Sequence, residues 1–597
     1  MSIAPLKRVT LCGLVGQKHD VLEGLQRLGC MHLVPLRPPP AEIEDVALPY
    51  AASAYRALRF LTDVKDKRRQ VRHDTGFDVE AFVQEVTDLR RRLRDVTDRR
   101  DFLAYRIREV EPWGDIVFPP RSTLAGYRIW FYVLPLRDIK ALNAVALPWQ
   151  IIRKDNRFAH LVVIADEEPP SDLLPVPRVH MGALSLSDLK AQLEAVEVEL
   201  EDLTATRQAL TRYIYMLSRH LAEAENVAQL SYAEQQTRDD DQIVAVQGWA
   251  PESAIPDIEV FADDAELACL VEDPAPEDEP PTLIDQPDNM EAGVDLTLFY
   301  QVPSYRSWDP TVVLVLSFSL FFAMILADAG YGLVLFVGLL VFWRRLGRSE
   351  KSISYRRFAL LLTTCTIVYG VLVGSYFGMN PREGSLLGDL QILDVRNFDA
   401  MMQLSIVVGV IHIGFANAMV AYVNRTRLVA LSSLGWIAAI VGGLLIWLGA
   451  GSDWQTVGFV LLTIGAAMIL LFTSDRPIRK ATDYLWRLAD GVRRLFSAMS
   501  AFGDVLSYMR LFALGLASAS LATTFNDLAR EAHASIPGLG LLAAVLIIVV
   551  GHGLNLGLAL MSGVVHGLRL NFIEFYNWGL PEEGKPFRKF ARKEVQP

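Results

Sequence analysis

Long apolar runs fill the C-terminal half of this chain, and they constrain its fold more than any other feature. Eight runs follow residue 310, at 311–327, 331–343, 358–378, 402–422, 428–449, 456–473, 498–527 and 539–573. About 20 apolar residues suffice to cross a bilayer as a helix. The second run is short, while the last two exceed what a core about 30 Å thick requires, which predicts tilt. We predict an α-helical membrane domain over residues 301–580 with eight transmembrane helices, the last two long and tilted.

Basic residues alternate between the connecting loops and predict an orientation in the membrane. They follow the second, fourth, sixth and eighth runs, as at Arg344, Arg425, Arg476 and Lys585. Loops after the odd-numbered runs are short or acidic, as at Asp389. Because basic loops stay on the cytoplasmic side, we predict that both termini are cytoplasmic, including a tail at 581–597.

The first 300 residues carry most of the charge runs and indicate a cytoplasmic arm. Residues 7–35 have the pattern of a strand, a helix and a strand, and residues 242–249 have that of a further strand. We predict a proximal α/β lobe from residues 1–50 and 236–272. A distal α/β lobe at 113–183 and an acidic, proline-containing linker at 273–300 complete the arm.

Two segments of the arm, 51–112 and 184–235, repeat apolar residues in alternating steps of three and four. Examples are Leu89, Leu93 and Val96 in the first segment. Sustained heptads of this kind predict a coiled coil. The segments are similar in length and a predicted lobe separates them, so we favour an antiparallel coiled-coil hairpin within one chain. A coiled coil between chains is the alternative.

Composition and motifs disfavour several classes of function. A net charge of −11 weighs against nucleic-acid binding. The cysteines form no CxxC pair, so we predict neither a metal site nor a disulfide framework; they are Cys12, Cys30, Cys269 and Cys365. The sequence lacks a GxxxxGK[ST] phosphate loop, and we predict no cofactor, no directly bound nucleotide and no catalytic activity.

The last two apolar runs place arginines inside the membrane. A guanidinium stays charged in the cell and costs roughly 3 kcal/mol or more at the bilayer centre. One face of the seventh run consists of Arg510, Ala513, Ala517, Ser520 and Thr524. One face of the eighth run consists of His552, Asn555, Ala559, Ser562, His566 and Arg569. A face that is polar or small along its whole length predicts contact with protein or water rather than lipid.

Arg510 has no acidic residue deep in the other runs to neutralise it, which predicts a partner on another molecule. A carboxylate moving on a rotor would satisfy it transiently. Because an opposite charge lowers the pKa of a carboxylate, approach to Arg510 would favour loss of a proton or a sodium ion. The alternatives are an internal salt bridge for Arg510, a tail anchor for Arg569 and polar packing for the two histidines. Further candidates, either for the ion path or for hydration at the ends of the runs, are Ser507, Asp504 and Glu574.

The segment SYMRLFALGLASASLA around Arg510 resembles the signature of the membrane stator of V/A-type rotary ATPases, called subunit a or subunit I. GHGLNLGLALMSGVVHGLRLNFIEFYN and VTLCGLVGQKHDVLEGLQRLGCMHLVPL resemble other parts of that family. The resemblance implies that Arg510 is the essential arginine, Arg569 the second one and His566 another polar position. Ala559 departs from the members that have an acidic residue there. The resemblance therefore leaves the half-channel lining open, with His552, Asn555 and Ser562 as candidates.

The resemblance implies a non-catalytic stator subunit that forms two ion half-channels and couples translocation of protons or sodium ions to rotation. Implied partners are the proteolipid ring, the peripheral stalk subunits, the central-stalk subunit that caps the ring, and the lipid bilayer. It also implies a multi-pass protein of a prokaryotic plasma membrane. Two other classes stay open, a secondary transporter with a coiled-coil regulatory domain and a coiled-coil receptor. The chain has no convincing internal repeat, no proline break near the arginines and no recognisable output domain, which disfavours both.

Overall fold

A computed structural model describes residues 2–37, 51–116, 123–170, 173–182, 184–347, 349–382, 384–395, 397–476, 478, 480–535 and 537–595. Parts of the predicted lobes and tail lie outside these ranges, namely residues 1, 38–50, 117–122, 171–172, 183 and 596–597. The chain divides into two compact units. The first comprises Met1–Val15, Leu28–Val34 and Asp239–Phe590, and the second comprises Gly16–Arg27, Pro35–Arg238 and Ala591–Pro597.

The first 300 residues contain both helices and strands. In chain order they are β1 Leu6–Leu14, α1 Lys18–Leu28, β2 His32–Val34, α2 Ala51–Thr62, α3 Val79–Val110, β3 Arg128–Pro135, β4 Trp149–Lys154, β5 Phe158–Ala165, β6 Arg178–Val179, α4 Leu186–Leu210, α5 Ile214–Gln236, β7 Arg238–Asp240, β8 Ile243–Pro251, α6 Ile255–Asp264, β9 Ala268–Glu272 and α7 Glu291–Tyr300. The predicted linker 273–300 therefore ends in a helix.

The remaining described residues form helices. They are α8 Thr311–Leu326, α9 Ala329–Val341, α10 Glu350–Val373, α11 Leu386–Asp389, α12 Phe398–Val423, α13 Val429–Leu448, α14 Asp453–Phe472, α15 Ala481–Leu495, α16 Ala498–Leu506, α17 Met509–Ser535, α18 Gly540–Arg569, a π-helical segment Leu570–Phe575 and α19 Tyr576–Gly579.

Two antiparallel sheets make the N-terminal part a mixed α/β region, as the sequence predicts. The first sheet has the strand order β2-β8-β1-β9, with β7 paired to β8. Leu6 lies opposite Pro251 and Leu14 lies opposite Ile243, so β1 and β8 pair along their whole length. The second sheet has the order β4-β5-β3-β6. Its core contains Leu134, Leu161 and Val163, which are fully buried.

Helices α3 and α4 pack against each other in opposite directions within the second unit. Arg92 and Glu199 form a salt bridge of 3.4 Å between them. Buried residues recur every seven positions, at Leu89, Val96, Leu103 and Val110 in α3 and at Leu189, Val196, Leu203 and Leu210 in α4. This heptad burial is typical of coiled-coil packing. Within the first predicted coiled-coil segment, 51–112, the chain forms two helices, since α2 ends at Thr62 and α3 begins only after the Asp78 cap.

Six helical segments among the described residues are long and apolar enough to cross a membrane. They correspond to the third through eighth predicted runs. The first two runs form the shorter helices α8 and α9, of 16 and 13 residues. At about 1.5 Å per residue these span roughly 24 and 20 Å, less than the core of a bilayer. The prediction of eight spans is therefore supported for six long helices, and two shorter ones precede them.

The two short helices run in opposite directions along α10. At the far end the Ala329 amide donates to the Ser375 carbonyl oxygen at 2.9 Å, just beyond the C-terminus of α10. Near the N-terminal end of α10, the rings of Phe318 and Phe358 lie 5.9 Å apart, and the Arg356 guanidinium lies 4.0 Å from the Trp343 ring. The N-terminus of α8 and the C-terminus of α9 thus both lie near the N-terminal end of α10.

Candidate functional site

The two membrane arginines meet around one carboxylate. Arg510 Nη1 lies 4.0 Å from Glu574 Oε1, and Arg569 Nε lies 3.9 Å from the same oxygen. The Glu574 side chain is 3% exposed, while the Arg510 and Arg569 side chains are 23% and 51% exposed. Two permanent cations thus share one acid. When Glu574 is ionised, the cluster of Arg510, Arg569 and Glu574, which we call the arginine cluster, keeps one net positive charge.

The prediction that Arg510 has no internal counter-charge is wrong. Glu574 follows Arg569 on a π-helical segment, and this local change of helix type accompanies the inward position of its carboxylate. Both arginine contacts lie at the outer limit for a salt bridge, and neither is a hydrogen bond. Glu574 therefore partly neutralises Arg510 without binding it in a fixed, bidentate pair.

Several polar atoms at this cluster lack a partner in the chain. Among the described residues, no hydrogen bond reaches Arg510 Nη1, Glu574 Oε2 or His566 Nδ1, although all three are buried. Buried polar groups in proteins are almost always hydrogen-bonded, to protein or to water. The arrangement thus favours partners from outside the chain, such as water or an approaching acidic group. The Ser507 hydroxyl lies beside the Glu574 carboxylate and donates to the Gly503 carbonyl oxygen at 3.1 Å.

A histidine of α12 holds the segments that carry Arg510 and Glu574. The seventh predicted run is interrupted at Ser507 and Tyr508, between α16 and α17. The His412 Nδ1 atom and the Tyr508 hydroxyl form a hydrogen bond of 2.7 Å. The His412 ring also stacks on the ring of Phe575, with ring centroids 4.2 Å apart and an interplanar angle of 9°. One buried ring therefore anchors the residues next to both members of the salt bridge.

The arginine-bearing face of α17 is exposed along the membrane helix. Ala513, Ala517, Ser520 and Thr524 are all exposed, whereas residues on the other side of the helix, such as Leu511 and Ser518, are buried. The residues beyond Arg510 are small, so another helix can approach this face closely. Arg510 lies at one end of this exposed stripe, with its own side chain 23% exposed.

The polar face of α18 is turned into the protein instead. Asn555 and Ala559 are buried, and Ser562 and His566 are half-buried. His552 takes part in two hydrogen bonds, from Nδ1 to the Tyr331 hydroxyl at 2.7 Å and from Nε2 to Asn526 Oδ1 at 3.0 Å. This face therefore meets protein.

The side-chain amides of Asn526 and Asn555 determine which atoms donate and which accept in the hydrogen bonds of His552. The Asn526 amide donates to the Phe377 carbonyl oxygen, so its Oδ1 accepts from His552 Nε2. The Asn555 amide donates to the Tyr331 hydroxyl oxygen, whose own hydrogen then points to His552 Nδ1. A neutral His552 satisfies every bond, whereas a protonated one leaves the Tyr331 hydrogen without its acceptor. His552 and Asn555 thus join α9, α17 and α18, which matches the alternative of polar packing.

Two further predicted site residues lie apart from the arginine cluster. Asp504 accepts a hydrogen bond of 2.8 Å from the Trp578 indole nitrogen. Ser520 lines a cavity of about 390 Å³ whose lining is mixed, with the polar residues Ser375, Asn380, Asp394 and Thr523 beside the apolar residues Val373, Val395, Leu516 and Ala519. Ser507 and His566 lie beside the arginine cluster, whereas Ser520 lies apart from it.

Sequence reasoning missed the groups that organise the site. His412 lies in an apolar run and is a buried polar residue without an obvious role in the sequence. Tyr508 stands two positions before Arg510, where its function as an anchor depends on a contact with a distant helix. The available signal was a polar side chain, the His412 imidazole or the Tyr508 hydroxyl, within an apolar run. Asp328 was not missed: its place in the short link between the first two runs favours a structural role, and it caps α9 and accepts hydrogen bonds from Tyr331 N, Ser375 Oγ, Phe377 N and Gly378 N.

Comparison with known proteins identifies relatives along most of the chain. No protein-family model matches it. It is similar to V-type ATP synthase subunit I of Chlamydia pneumoniae, with 26% identity over 601 residues and 87% of each chain covered. It is 26% identical over 619 residues to V-type ATP synthase subunit I 1 of Treponema pallidum, covering 96% of this chain and 97% of that one.

An archaeal relative and one solved structure complete the comparison. A-type ATP synthase subunit I of Methanocaldococcus jannaschii is 28% identical over 457 residues, which cover 68% of this chain and 63% of that protein. The crystal structure of the cytoplasmic N-terminal domain of subunit I, homolog of subunit a, of V-ATPase aligns with 44% of this chain and 99% of its own. Its identity is 17% and its TM-score is 0.23, too low to establish a shared fold.

Proposed function

The chain is a distant homologue of V/A-type ATP synthase subunit I over most of its length, and from this premise we propose that it is the non-catalytic membrane stator of a rotary ATPase. In this role it couples the passage of protons or sodium ions to rotation of a neighbouring proteolipid ring. The arginine cluster meets the ion-binding carboxylates of that ring in turn.

The net positive charge of the arginine cluster carries this proposal. Glu574 offsets one guanidinium, and the second positive charge has no counterpart among the described residues of the cluster. Arg510 begins an exposed stripe of small residues on α17, so a helix of the ring can approach it closely. A ring carboxylate that reaches Arg510 is stabilised in its charged form and releases its ion.

The same charge separates two half-channels. A cation that enters from either side meets a fixed guanidinium and is repelled, so it crosses only on a ring carboxylate. The cavity beside Ser520 supports one aqueous entrance, because its lining includes Asn380 and Asp394 and it lies toward the loop that follows α10. The unpartnered His566 and Glu574 atoms support hydration near Arg510. A potential of 100 mV supplies about 2.3 kcal/mol per charge, which a direct leak would dissipate.

We further propose that the membrane part crosses the bilayer eight times, with both termini cytoplasmic. The opposite directions of α8 and α9 along α10 support this count. If each helix crosses the bilayer once, the chain returns after α9 to the side on which α8 began. Polar and aromatic residues at their ends, such as Trp308 and Trp343, extend each short helix toward the interfaces. The N-terminal region then serves as the cytoplasmic arm for the peripheral stalks and for the central-stalk subunit that caps the ring.

One observation favours the second candidate function, a secondary transporter. Such proteins often interrupt their helices beside a site at the membrane midplane. The break at Ser507 and Tyr508 has this character, and it lies directly before Arg510. Because a transporter needs no ring, the purified chain would then transport its ion or solute without the other subunits.

The decisive experiment replaces Arg510 in the assembled complex. Arg510→Ala removes the charge that drives ion release, so we expect normal assembly but loss of ATP-driven ion transport in sealed vesicles. Arg510→Lys also fails, because an ammonium lacks the planar, bidentate guanidinium. Arg569→Ala retains part of the transport, since Arg510 remains. Full transport by Arg510→Ala would overturn the stator mechanism, and transport by the isolated chain would favour the transporter.

A further inference from the structure

Helix α15 presents a large apolar face that no described residue covers. Tyr484, Leu485, Leu488 and Val492 share this face by steps of three and four, and they are 62%, 70%, 42% and 43% exposed. The neighbouring chain continues the exposure, with Phe496 77% and Met499 78% exposed. Side chains of this kind are costly in water. The face therefore needs an apolar environment.

A second face of α15 fixes the helix to the end of α14. The Arg487 guanidinium donates to the Ser474 carbonyl oxygen at 2.8 Å, and the Ser474 hydroxyl donates to Asp490 at 2.8 Å. Arg476 adds a salt bridge to Asp490 at 2.9 Å. Gly491 packs directly on the backbone of Leu470, where a Cβ atom would not fit. This attachment holds α15 at the point where a transmembrane helix leaves the apolar region.

The third face of α15 is mixed and carries one cation, Arg493. Thr482, Trp486, Ala489 and Arg493 share it and are exposed, and Lys480 precedes the helix and is also exposed. No salt bridge of Arg493 is present among the described residues. A helix with a continuous apolar face, an arginine beside a Trp on another face and a further Tyr in its first half has the composition of a helix that lies in the membrane interface.

We propose that α15 lies in the headgroup region of the cytoplasmic leaflet and binds anionic phospholipid. Its apolar face enters the boundary between headgroups and acyl chains, and Arg493 and Lys480 contact the phosphates. Two features select lipid as the occupant. First, α15 is attached to the C-terminal end of α14, where that helix leaves the apolar region. Second, Arg493, which has no salt bridge among the described residues, complements an anionic membrane surface. The inference rests on the proposed orientation of the membrane part and not on the coupling mechanism.

Spin-label accessibility tests the position of the helix. Single cysteines replace Leu485, Leu488 and Val492 on the apolar face and Thr482, Ala489 and Arg493 on the mixed face, in a full-length chain with Cys12, Cys30, Cys269 and Cys365 changed to serine. In nanodiscs, we expect the apolar positions to be accessible to oxygen and the positions on the mixed face to a water-soluble nickel complex. Uniform access to the nickel complex would place the helix in water and overturn the proposal. Apolar positions closed to both reagents would indicate a protein partner and overturn it as well.

Lipid retention tests the charge. Nanodiscs of phosphatidylcholine with phosphatidylglycerol serve as the probe, and native mass spectrometry counts the phosphatidylglycerol that stays bound. Arg493→Gln is expected to lower its retention about five-fold, since one basic residue near an anionic surface contributes about that factor. Arg530→Gln is the matched control, because Arg530 is exposed but paired with Asp527 in another part of the chain. Equal retention by wild type and Arg493→Gln would overturn the anionic-lipid contact. Neither measurement involves ATP or the ring, so its failure is distinct from failure of the stator proposal.

Discussion

At the scale of single residues, the chain places two guanidinium groups around one buried carboxylate. Glu574 is nearly inaccessible to solvent, and a carboxylate in such a place needs compensation for the loss of water. Arg510 and Arg569 supply it from 4.0 and 3.9 Å without a hydrogen bond. We infer that Glu574 sets the strength of the cluster. In the proposed stator, its carboxylate would lower the positive charge that a ring carboxylate meets at Arg510.

The first prediction concerns this balance. Glu574→Gln leaves both guanidinium groups uncompensated, so a ring carboxylate is held more tightly and leaves more slowly. We expect ATP-driven ion transport in vesicles to fall several-fold while assembly is retained. Glu574→Asp is the matched control, because it keeps the charge, and it should transport much faster than Glu574→Gln. Wild-type transport by Glu574→Gln would show that the carboxylate does not tune the cluster.

At the scale of elements, both arginines lie next to an irregular part of a helix. Arg510 follows the break between α16 and α17, and Arg569 precedes the π-helical segment. Irregular turns of this kind are frequent at functional sites. Both are held by α12, through the contacts of His412 with Tyr508 and Phe575. The position of Arg510 thus depends on the packing of a separate helix.

The second prediction tests that dependence with two glycines of α12. A Cβ atom at Gly409 would lie 2.7 Å from the ring of the buried Tyr508, whereas a Cβ atom at Gly414 would meet nothing within 4 Å. Gly409→Ala therefore displaces Tyr508 and, with it, Arg510. We expect ATP-driven transport to fall about ten-fold, since small misplacements of a reacting group are costly. The thermal midpoint of the purified complex should also fall, because overpacking costs roughly 1–3 kcal/mol.

Gly414→Ala is the control for this prediction. The added methyl group has free space, and alanine is the better helix former by up to about 1 kcal/mol. Transport and thermal midpoint should match or exceed those of the wild type. If both alanine variants behave alike, the contact between Gly409 and Tyr508 does not position the site.

At the scale of the whole molecule, the C-terminal tail joins two earlier segments of the chain within the first unit. Gly584 N donates to the Val302 carbonyl oxygen at 2.8 Å, and Phe590 N donates to the Met31 carbonyl oxygen at 2.7 Å. Between them, Arg588 N donates to His32 Nδ1 at 2.9 Å. The last membrane helix is therefore connected through its tail to the first sheet.

The third prediction is a pH dependence of this tail. Burial lowers the pKa of His32, and its Nδ1 must stay unprotonated to accept from Arg588. Because the folded pKa lies below the unfolded value of about 6.5, the stabilisation is present above pH 6.5 and is lost as the pH falls below it. We expect the amide protection of residues 587–590, taken relative to the intrinsic exchange rate at each pH, to fall at acidic pH, by up to about ten-fold one pH unit below that value.

A non-titrating variant separates this effect from the intrinsic pH dependence of exchange. His32→Asn retains an acceptor for the Arg588 amide but carries no proton-dependent charge. Wild type and variant are compared at the same pH, at which the intrinsic exchange rates are equal. Protection should coincide at pH 7.5 and should be lower in the wild type at pH 5.5. Identical protection at both values would exclude His32 as the sensitive group.

Local patterns in the sequence predicted the parts of this protein that local physics controls. The seven-residue steps of buried leucines and valines in α3 and α4 follow from helix periodicity, and so do the shared faces of Arg510 with Ser520 and of His552 with Arg569. Apolar length alone predicted eight membrane spans, and six of them correspond to long apolar helices among the described residues. The arginines were visible because a charge in an apolar run is costly wherever the helix packs.

Tertiary structure alone decided which groups these residues meet. No proline in the sequence predicts the break at Ser507 and Tyr508 or the π-helical segment. Both irregular segments contact His412, which belongs to a separate helix. The contact between Arg510 and Glu574 depends on both irregularities at once. Periodicity assigns a residue to a face of its own helix, whereas packing between helices decides what that face contacts. For this reason the sequence determined where the charges lie, and only the fold determined that one carboxylate lies between them.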